Sequence, residues 1–493
     1  AGIPILVADV DQDGDADLIW GRGHNVGVYW LEQIGGESAR SWQSHAIDTS
    51  WSCAHSLTLA DVDGDGRDDL VTGKRYLGHD GRDPGENDPL AIYWYRFQLS
   101  THTWRRHLIS DGGRIGMDLD PKCVDIDGDG DIDVIAPARC GLSLLENLGD
   151  QAAAEPTPST PHVDIDHTDP SFYVQDARRR VIETPLDWGV RRQDLLVGMQ
   201  RAMGELPGCE RRVPLDVHVE STERTDKYRR IKLTYRSSPE TRVPAFLLVP
   251  LELTGPAPAM LCLHPTHALG KGQVCGLGGN PTRFYAHELA QRGYVCLAPD
   301  YPTFGDYAVD FASPDNPYAS GSMRAIWDNL RAVDLLETLP EVDPDRIGCI
   351  GHSLGGHNAL FTAAFDRRLR VIATSCGFTA FGDYYEGDLR GWTSDRYMPR
   401  IRDDFGNDPQ RMPFDFPEIL ASMAPRPVFI NAPVRDHNFS VQGVRSSVGA
   451  ARKIFEIHDA AQNLHVLHPE VAHDFPDDVR KACYEWLDQH LAR

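Results

Sequence analysis

The chain has 493 residues, more than one ordinary domain needs and enough for two or three. A formal net charge of −24 argues against a nucleic-acid partner, because phosphates would be repelled. The sequence also lacks the run of about 18 apolar residues that a membrane span requires, and the composition predicts a soluble globular protein.

The chain begins inside a repeated pattern. The first residues, AGIPILVADVDQDGDADLIW, contain neither a basic segment nor a cleavage site, so we expect no signal peptide in this chain and a natural chain that extends upstream. Three Asp-rich stretches begin at Asp9, Asp61 and Asp125, and short apolar and aromatic strands follow them. Four short strands per unit is the size of a β-propeller blade.

About two and a half such units fit into residues 1–150, whereas propellers typically close with about 4–8 blades. We therefore predict an N-terminal all-β, propeller-like repeat domain that is only partial. Two explanations stay open at this point. Either upstream blades are absent from this chain, or the array packs on its neighbour or on another chain.

The Asp-rich loops follow the pattern D-x-D-x-D-G-x-x-D, whose first, third, fifth and ninth carboxylates can converge on one hard cation such as Ca²⁺. An EF-hand is rejected, because the flanks are strand-like and position 12 is Trp20, Thr72 or Ala136 instead of Glu. The alternative is a set of solvated acidic turns that bind nothing. The predicted calcium ligands are Asp9, Asp11, Asp13, Asp17, Asp61, Asp63, Asp65, Asp69, Asp125, Asp127, Asp129 and Asp133.

These segments resemble the FG-GAP/VCBS repeats of integrin-type propellers and of many secreted bacterial proteins. The resemblance implies structural calcium in the loops and an extracellular location: secreted, periplasmic or on the cell surface. Apart from this structural calcium, no cofactor is expected, and none for catalysis.

The texture of the sequence changes after residue 150. Residues 151–170 are rich in Ala, Pro, Thr and Ser and read as a linker. From 171 to 493, fully apolar strands such as PAMLCLHP and GYVCLAPD alternate with helical segments, a pattern typical of a mostly parallel sheet covered on both faces. We therefore predict a doubly wound α/β domain over 171–493.

A G-x-S-x-G motif at 351–355 lies between a predicted strand and a predicted helix. Gly on either side avoids clashes at the strained turn, and the serine is left exposed at the carboxyl end of the sheet. Ser353 is therefore the predicted nucleophile. A catalytic serine needs an acid and a histidine further along the chain, and Asp436 and His473 each follow a predicted strand.

Other acidic and histidine residues near these positions are weaker candidates. Asp474 is a weaker candidate for the acid, because the side chains of adjacent residues diverge. His352, His437 and His468 are interpreted as structural. The oxyanion hole is predicted to use the backbone N–H groups of Leu354 and Thr266, with His267 as the next choice, because Pro265 has no N–H.

The stretches HPTHALGKG, GHSLGGHNAL, GWTSDRYMPRI and PRPVFINAPVRDHNF resemble the α/β-hydrolase superfamily, above all its dienelactone hydrolase and acetyl xylan esterase-like branch. The resemblance covers roughly 175–493 and implies ester hydrolysis by Ser353, Asp436 and His473. The chain departs from many relatives in having His-Pro-Thr where they carry His-Gly. Dienelactone hydrolases use a cysteine nucleophile, so the serine favours simple esters.

A long segment at about 377–426 separates two predicted strands, and insertions at this place often cover the active site in this superfamily. Aromatic rings there would stack on a sugar, and arginines would bind a carboxylate. A packed excursion with core aromatics is the equal alternative. The predicted substrate-binding residues are Tyr384, Tyr385, Trp392, Arg396 and Tyr397.

The ten cysteines form no C-x-x-C motif, which disfavours zinc and thioredoxin-type sites. Cys262, Cys296, Cys349 and Cys376 read as buried free thiols, and a Cys123–Cys140 bridge stays open.

Three functions remain in competition. The first is a secreted esterase acting on carbohydrate-linked esters, possibly of a polysaccharide. The second is a prolyl oligopeptidase-like serine peptidase, which is disfavoured because no Glu pair is placed to bind a substrate amine. The third is a calcium-dependent binding protein that has lost catalysis, against which the intact order Ser–Asp–His argues.

Overall fold

The structure is a computed structural model, and it describes residues 4–35, 40–75, 83–85, 90–110, 115–138, 141–149, 163–175, 178–208, 211–313 and 315–491. The chain divides into two compact units. The first contains the N-terminal strands together with residues 189–197 and 208, and the second contains the other described residues from 163 onward. The linker predicted at 151–170 lies outside the described residues up to 162, and a short strand begins at Val163.

The first unit consists of antiparallel sheets that follow the repeats. Each of the first two sheets has four strands in chain order, and the third has three. The strands are β1 (Ile5–Ala8), β2 (Asp17–Gly21), β3 (Val26–Ile34), β4 (Ser41–Ser52), β5 (Ala54–Ala60), β6 (Asp69–Lys74), β7 (Ile92–Gln98), β8 (Thr103–Ser110), β9 (Lys122–Val124), β10 (Asp133–Ala138) and β11 (Gly141–Leu145).

Consecutive repeats share apolar cores. Ile19 and Trp30 of the first sheet pack in one cluster with Leu70 and Tyr95 of the second, and a further cluster joins the second sheet to Val134 of the third. The predicted repeat of short four-stranded units is therefore confirmed. Closure into a propeller stays a prediction.

The second unit is built on a nine-stranded mixed sheet with the order β15-β16-β17-β19-β18-β20-β21-β22-β23. The neighbours from β19 through β18 to β23 are parallel, and the other pairs are antiparallel. Its strands are β15 (His218–Arg224), β16 (Tyr228–Ser238), β17 (Thr241–Pro250), β18 (Ala257–Leu263), β19 (Val295–Pro299), β20 (Val342–His352), β21 (Leu369–Ser375), β22 (Val428–Asn431) and β23 (Leu464–Leu467).

A small antiparallel sheet precedes this large one, and helices alternate with the parallel strands. The small sheet consists of β12 (Val163–Asp164), β13 (Phe172–Gln175) and β14 (Arg178–Val181). Helix α1 (Pro185–Met203) precedes the large sheet, and its residues 189–197 belong to the first unit. The other helices are α2 (Lys271–Val274), α3 (Tyr285–Gln291), α4 (Gly321–Thr338), α5 (Leu354–Phe365), α6 (Arg400–Asp403), α7 (Phe416–Ala421), α8 (Val441–Ile457) and α9 (Asp477–Leu491).

Helices cover both faces of the large sheet, as the apolar strands predict. Ile350 of β20 packs in a cluster with Leu289 of α3 and Leu487 of α9. The neighbouring residue, Cys349, instead contacts the carbonyl oxygen of Ala359 in α5. Because successive strand residues point to opposite faces, α5 lies on the face opposite α3 and α9. The predicted doubly wound α/β fold is confirmed.

Within the described part of the chain, no helix is both long enough and apolar enough to cross a bilayer.

Candidate active site and acidic loops

Ser353 occupies the sharp turn between β20 and α5. Its backbone has φ 55° and ψ −118°, in a region that favours glycine. A Cβ at Gly351 would lie 2.0 Å from the Gly355 oxygen, and one at Gly355 would lie 1.9 Å from the Leu263 oxygen. Both glycines of the motif are therefore required by close backbone approaches, as the sequence predicted.

The first turn of α5 lies against the end of β18. Because Gly355 contacts the Leu263 carbonyl, the following loop with Thr266 and His267 starts next to the N-terminus of α5. Leu354 is buried in a cluster with Tyr301 and Phe304, while Thr266 is exposed. The assignment of the Leu354 and Thr266 N–H groups to an oxyanion hole stays a prediction.

A buried ion pair fixes the loop that carries Thr266. The Lys271 ammonium lies 2.5 Å from Asp300 Oδ2 and 2.8 Å from Asp306 Oδ2. Asp300 also accepts hydrogen bonds from the backbone N–H groups of Lys271 and Asp306. The side chains of Lys271 and Asp300 are 2% and 0% exposed, so this contact holds the loops after β18 and β19 together.

Asp436 and His473 are paired directly. Nδ1 of His473 lies 2.9 Å from Oδ2 and 3.0 Å from Oδ1 of Asp436. The carboxylate also accepts the backbone N–H groups of Asn438 and Phe439. Burial raises the pKa of Asp436, but the hydrogen bond from His473 and these N–H groups outweigh it, so the pKa lies below its usual value. Asp436 is therefore ionised and accepts the Nδ1 proton.

The adjacent carboxylate, Asp474, has different partners. Its Oδ1 lies 2.5 Å from Nη1 of Arg283 and 2.8 Å from the Thr282 hydroxyl. Arg283 also donates to the backbone oxygen of His473. Asp474 therefore anchors the loop that carries His473, in agreement with its lower rank as the triad acid.

The three histidines interpreted as structural have distinct surroundings. Nδ1 of His468 donates to the Ala432 oxygen at 2.8 Å, and His437 is exposed. His352 is buried, and its ring centroid lies 5.0 Å from that of His473. Burial, together with the charges of Arg283 and His473, keeps the pKa of His352 well below its usual value, so this ring is neutral.

A polar network ties Ser353 to the loop of His473. The Ser353 N–H donates to the Ser375 oxygen at 2.8 Å. The Ser375 hydroxyl contacts Nδ1 of His352 and accepts from Asn431 Nδ2, each at 2.8 Å. Asn431 Nδ2 also donates to the backbone oxygen of Asp474 at 2.9 Å. The carboxyl ends of β20, β21 and β22 therefore converge on the loop after β23.

Sequence reasoning missed three contributors to this site: Arg283, Asn431 and the position of Cys376. Cys376 directly follows β21 with φ 47°, and its Sγ lies 3.3 Å from the backbone oxygen of Asp474. The available signal was positional, because Cys376 directly follows β21 and Asn431 is the last residue of β22, and both strands lie between β20 and β23 in the sheet.

The predicted substrate residues have unequal surroundings. Trp392 is 3% exposed and packs among Phe381, Phe416 and Phe439. The prediction that it stacks on a sugar is not supported, because neighbouring rings cover it; for Trp392 the structure favours the alternative of a core aromatic.

The four other predicted substrate residues are at least partly exposed. The Tyr385 hydroxyl donates to Asn438 at 2.7 Å, and Tyr384 packs between Tyr385 and Phe439. The Phe439 ring centroid lies 6.0 Å from that of His473. A row of aromatic rings therefore leads from the surface to His473. The ring centroids of Tyr397 and Trp392 are 6.4 Å apart.

Arg396 lies on another side of the site. Its Nε donates to the Thr303 hydroxyl at 2.7 Å, and its guanidinium carbon lies 4.4 Å from the Phe304 ring centroid. Phe304 belongs to the cluster that contains Leu354. Among the described residues, no carboxylate forms an ion pair with Arg396.

The acidic loops share one geometry. Gly14, Gly66 and Gly130 have positive φ, and their N–H groups donate to the first aspartate of each loop. The metal-type ligands that converge within 4.8 Å are Asp9, Asp11 and Asp13; Asp61, Asp63 and Asp69; and Asp125, Asp127 and Asp133.

Three predicted ligands stand apart from these groups. Asp17 accepts backbone N–H groups from Val10 and Gln33. Asp65 pairs with Arg67 and Arg96. Asp129 is not among the converging carboxylates of the third loop.

The electrostatics of the loops suit a cation. Burial and the neighbouring charge of Asp63 raise the pKa of Asp69 to about 7, and burial with the charges of Asp13 and Asp17 raises that of Asp11. Mutual repulsion of this kind is relieved by a bound divalent ion. The residues therefore fit calcium.

The Cys123–Cys140 bridge that the sequence left open involves Cys140, which lies outside the described residues, and Cys123 is a free thiol in the structure. The buried, free state predicted for Cys262, Cys296, Cys349 and Cys376 is confirmed.

Comparison with known proteins agrees with this architecture. Residues 261–489 match the model of the alpha/beta hydrolase family, 178–318 match a second hydrolase-family model named Abhydrolase, and 9–72 match the FG-GAP-like repeat. YtaP of Bacillus subtilis (strain 168), whose name describes a hydrolase, is 26% identical over 312 residues, which is 59% of this chain and 97% of YtaP.

The solved structures similar to the chain include two glucuronoyl esterases. The glucuronoyl esterase from Solibacter usitatus is 18% identical with a TM-score of 0.49, covering 64% of this chain and 95% of its own. A carbohydrate esterase family 15 glucuronoyl esterase from Caldicellulosiruptor kristjansonii is 20% identical with a TM-score of 0.49, covering 63% of this chain and 87% of its own.

Proposed function

Since residues 178–489 belong to the α/β-hydrolase superfamily, we propose that this enzyme is a serine ester hydrolase with Ser353, His473 and Asp436 as its triad. The observation that carries the proposal is the direct pairing of His473 Nδ1 with the ionised Asp436. Ser353, held in a strained turn, follows a parallel strand of the same sheet. This arrangement leaves Nε2 of His473 as the ring nitrogen that can accept a proton.

In the proposed reaction, His473 Nε2 takes the Ser353 proton while Oγ attacks the ester carbonyl. Asp436 stabilises the imidazolium that forms. The tetrahedral oxyanion is bound by the N–H groups of Leu354 and Thr266. His473 then returns the proton to the alcohol that leaves, and water hydrolyses the acyl-enzyme by the same steps.

An ester is favoured over a peptide because of the charge beside the site. An exopeptidase needs acidic side chains to bind the free amine of its substrate. The segment after β21 instead brings the Arg396 guanidinium close to the Phe304–Leu354 cluster. Asp474, the nearest carboxylate in sequence to His473, is already paired with Arg283.

The test compares p-nitrophenyl acetate, acetylated xylan and a proline-containing aminoacyl anilide as substrates of the full chain. We expect ester hydrolysis in the wild type and its loss in Ser353→Ala. Anilide cleavage without ester hydrolysis would instead favour a prolyl oligopeptidase-like peptidase. No turnover of any substrate by a folded wild type would favour a binding protein.

The substrate proposed is an acyl ester on an acidic sugar. The exposed Tyr385 and the half-buried Tyr384 form an aromatic wall that leads through Phe439 to His473. Aromatic faces suit the apolar face of a sugar ring. A carboxylate on the sugar would bind the Arg396 guanidinium through two parallel hydrogen bonds.

Acetylated polygalacturonate and acetylated xylan separate this proposal from a preference for neutral sugars. We expect Arg396→Gln to lower kcat/KM about tenfold for the acidic polymer, as one lost charged contact of about 1.5 kcal/mol predicts, and to leave the neutral polymer unchanged. Arg390→Gln is the matched control, because Arg390 is 78% exposed and already paired with Asp388. An equal loss on both polymers in Arg396→Gln would contradict a carboxylate contact.

We propose that the acidic loops of the N-terminal unit hold structural calcium. The support is the convergence of three carboxylates in each loop and the raised pKa values of Asp11 and Asp69. Calcium binds such oxygen-rich, flexible sites. Because weak sites of this kind need a high calcium concentration to be filled, they suit an extracellular protein. A secreted or cell-surface location accordingly forms part of this proposal.

A further inference from the structure

One cluster of metal-type ligands contains a thiol. Sγ of Cys376, a carboxylate oxygen of Asp436 and a ring nitrogen of His473 all lie within 4.8 Å of one another. Among the described residues, every other such cluster consists of carboxylates, in one case with His102. The three residues follow β21, β22 and β23, so neighbouring parallel strands place them side by side.

The backbone holds Cys376 in this position. Its φ of 47° lies in the left-handed region, which costs a residue with a Cβ about 1–2 kcal/mol. Its N–H donates to the Asn431 oxygen at 2.9 Å, and its Sγ approaches the Asp474 oxygen at 3.3 Å. The seven other described free cysteines belong to no such cluster.

We propose that Cys376, Asp436 and His473 bind a thiophilic divalent cation such as Zn²⁺, and that this binding switches the hydrolase off. A sulfur, a nitrogen and a carboxylate oxygen form a ligand set that Zn²⁺ prefers and that Ca²⁺ and Mg²⁺ do not. Tetrahedral ligands about 2.0–2.3 Å from zinc lie about 3.5 Å from each other. The His473 and Asp436 atoms, 2.9 Å apart, have to separate slightly, and the thiol lies within 4.8 Å of both.

The chemistry explains why occupancy inhibits. The cation replaces the proton of the Cys376 thiol, which goes to solvent, and forms a bond to sulfur. It also takes the lone pair of His473 Nδ1, so the proton on Nδ1 moves to Nε2. His473 then has no free nitrogen to accept the Ser353 proton, and Asp436 is engaged by the metal. This consequence rests on the proposed triad, whereas the binding itself does not.

The first experiment measures binding without turnover. Full-length Ser353→Ala, in saturating CaCl₂ to fill the acidic loops, is titrated with CoCl₂ while the near-ultraviolet thiolate-to-cobalt absorption is followed. We expect a band that saturates at one equivalent and that ZnCl₂ displaces. The band is expected to disappear when Cys376→Ala is added to the Ser353→Ala background. Absence of the band in Ser353→Ala would overturn the site.

The second experiment measures inhibition of p-nitrophenyl acetate hydrolysis by ZnCl₂, each variant being compared with its own zinc-free rate. We expect at least a tenfold higher inhibitory concentration for Cys376→Ala and a smaller rise for Cys376→Ser, which keeps the side-chain volume with a weaker ligand. Cys123→Ala, a half-buried thiol of the other unit, serves as the control and is expected to be inhibited like the wild type.

The two proposals fail separately. Equal zinc sensitivity of Cys376→Ala and the wild type would overturn the inhibitory site while the esterase stands. A cysteine-dependent cobalt band in a protein that hydrolyses no ester would support the metal site and contradict the proposed function.

Discussion

Nδ1 of His473 lies 2.9 Å from Oδ2 of Asp436, although the two residues are 37 positions apart and follow different strands. The contact fixes the tautomer of the imidazole, because an ionised carboxylate can only accept. Asp474 is next to His473 in sequence but pairs with Arg283.

The first prediction concerns the identity of the triad acid. Asp436→Asn is expected to lower kcat for p-nitrophenyl acetate about 10³–10⁴-fold, because an amide at this position favours the wrong imidazole tautomer. Asp474→Asn is the control and is expected to retain kcat within about tenfold, since it weakens only a loop contact. The reverse ranking, measured on samples with identical circular dichroism, would assign the acid to Asp474.

The second prediction tests the close backbone approach at the nucleophile turn. Gly355→Ala places a Cβ 1.9 Å from the Leu263 oxygen, so the N-terminus of α5 and the oxyanion loop have to separate. We expect loss of at least 10²-fold in kcat/KM, as misplaced catalytic groups produce, together with a lower Tm.

Gly449→Ala is the matched control for Gly355→Ala. Gly449 lies in α8, and nothing is within 4 Å of an added Cβ. The same substitution is there expected to stabilise the protein by about 0.5–1 kcal/mol and to leave kcat/KM unchanged. A Gly355→Ala enzyme with wild-type activity would contradict the described packing.

The sequence was sufficient for the parts of the fold that depend on local patterns. Apolar runs such as those around Cys262 and Cys296 identified the buried parallel strands, and the glycines around Ser353 identified the turn. Such signals work because strand burial and backbone sterics leave a mark on the residues themselves.

The parts that sequence could not supply depend on contacts between distant segments. Nothing local shows that Cys376 approaches Asp436, or that Arg283 binds Asp474, since these residues are brought together by the order of strands in the sheet. For the same reason the sequence could not show whether Trp392 is buried or exposed, because an aromatic residue suits both environments.

The third prediction tests the ion pair below the oxyanion loop. Lys271→Met removes the cation that faces the buried Asp300 carboxylate, and an unpaired buried charge costs about 3–5 kcal/mol. We expect that loss in the free energy of unfolding and a lower kcat/KM, because the loop with Thr266 loses its anchor. Lys453→Met is the control. Lys453 is 50% exposed and forms an ion pair with Asp169, so the loss of this pair is expected to cost less than about 1 kcal/mol.

The fourth prediction concerns the acidic loops. Calcium at 100-fold excess over Kd is expected to stabilise the native state by about 2.7 kcal/mol per site, which calorimetry in CaCl₂ and in EGTA measures as a shift in Tm. Asp11→Asn, which removes a member of the first cluster, is expected to reduce that shift.

Asp15→Asn removes the same charge from the same loop, outside the cluster of convergent carboxylates. It is therefore expected to keep the full calcium-induced shift. Equal shifts for Asp11→Asn and Asp15→Asn would mean that calcium acts by screening rather than by binding in the loop.

The fifth prediction follows from the burial of His357, whose ring packs against Trp392 and Phe361. Burial lowers the pKa of His357 to about 3, whereas an unfolded chain titrates at about 6.5. As the pH falls below about 6.5, the unfolded state binds a proton that the native state does not, so stability is lost. Between pH 7.5 and pH 5 this one group is expected to remove about 2 kcal/mol from the free energy of unfolding. His357→Phe is expected to abolish that part of the pH dependence, as measured by guanidinium unfolding at both pH values.

Phe361→Leu is the control. It disturbs the same cluster without a titrating group, so it is expected to lower stability equally at both pH values and to keep the pH dependence of the wild type. An unchanged pH dependence in His357→Phe would show that this imidazole is not buried as a neutral group.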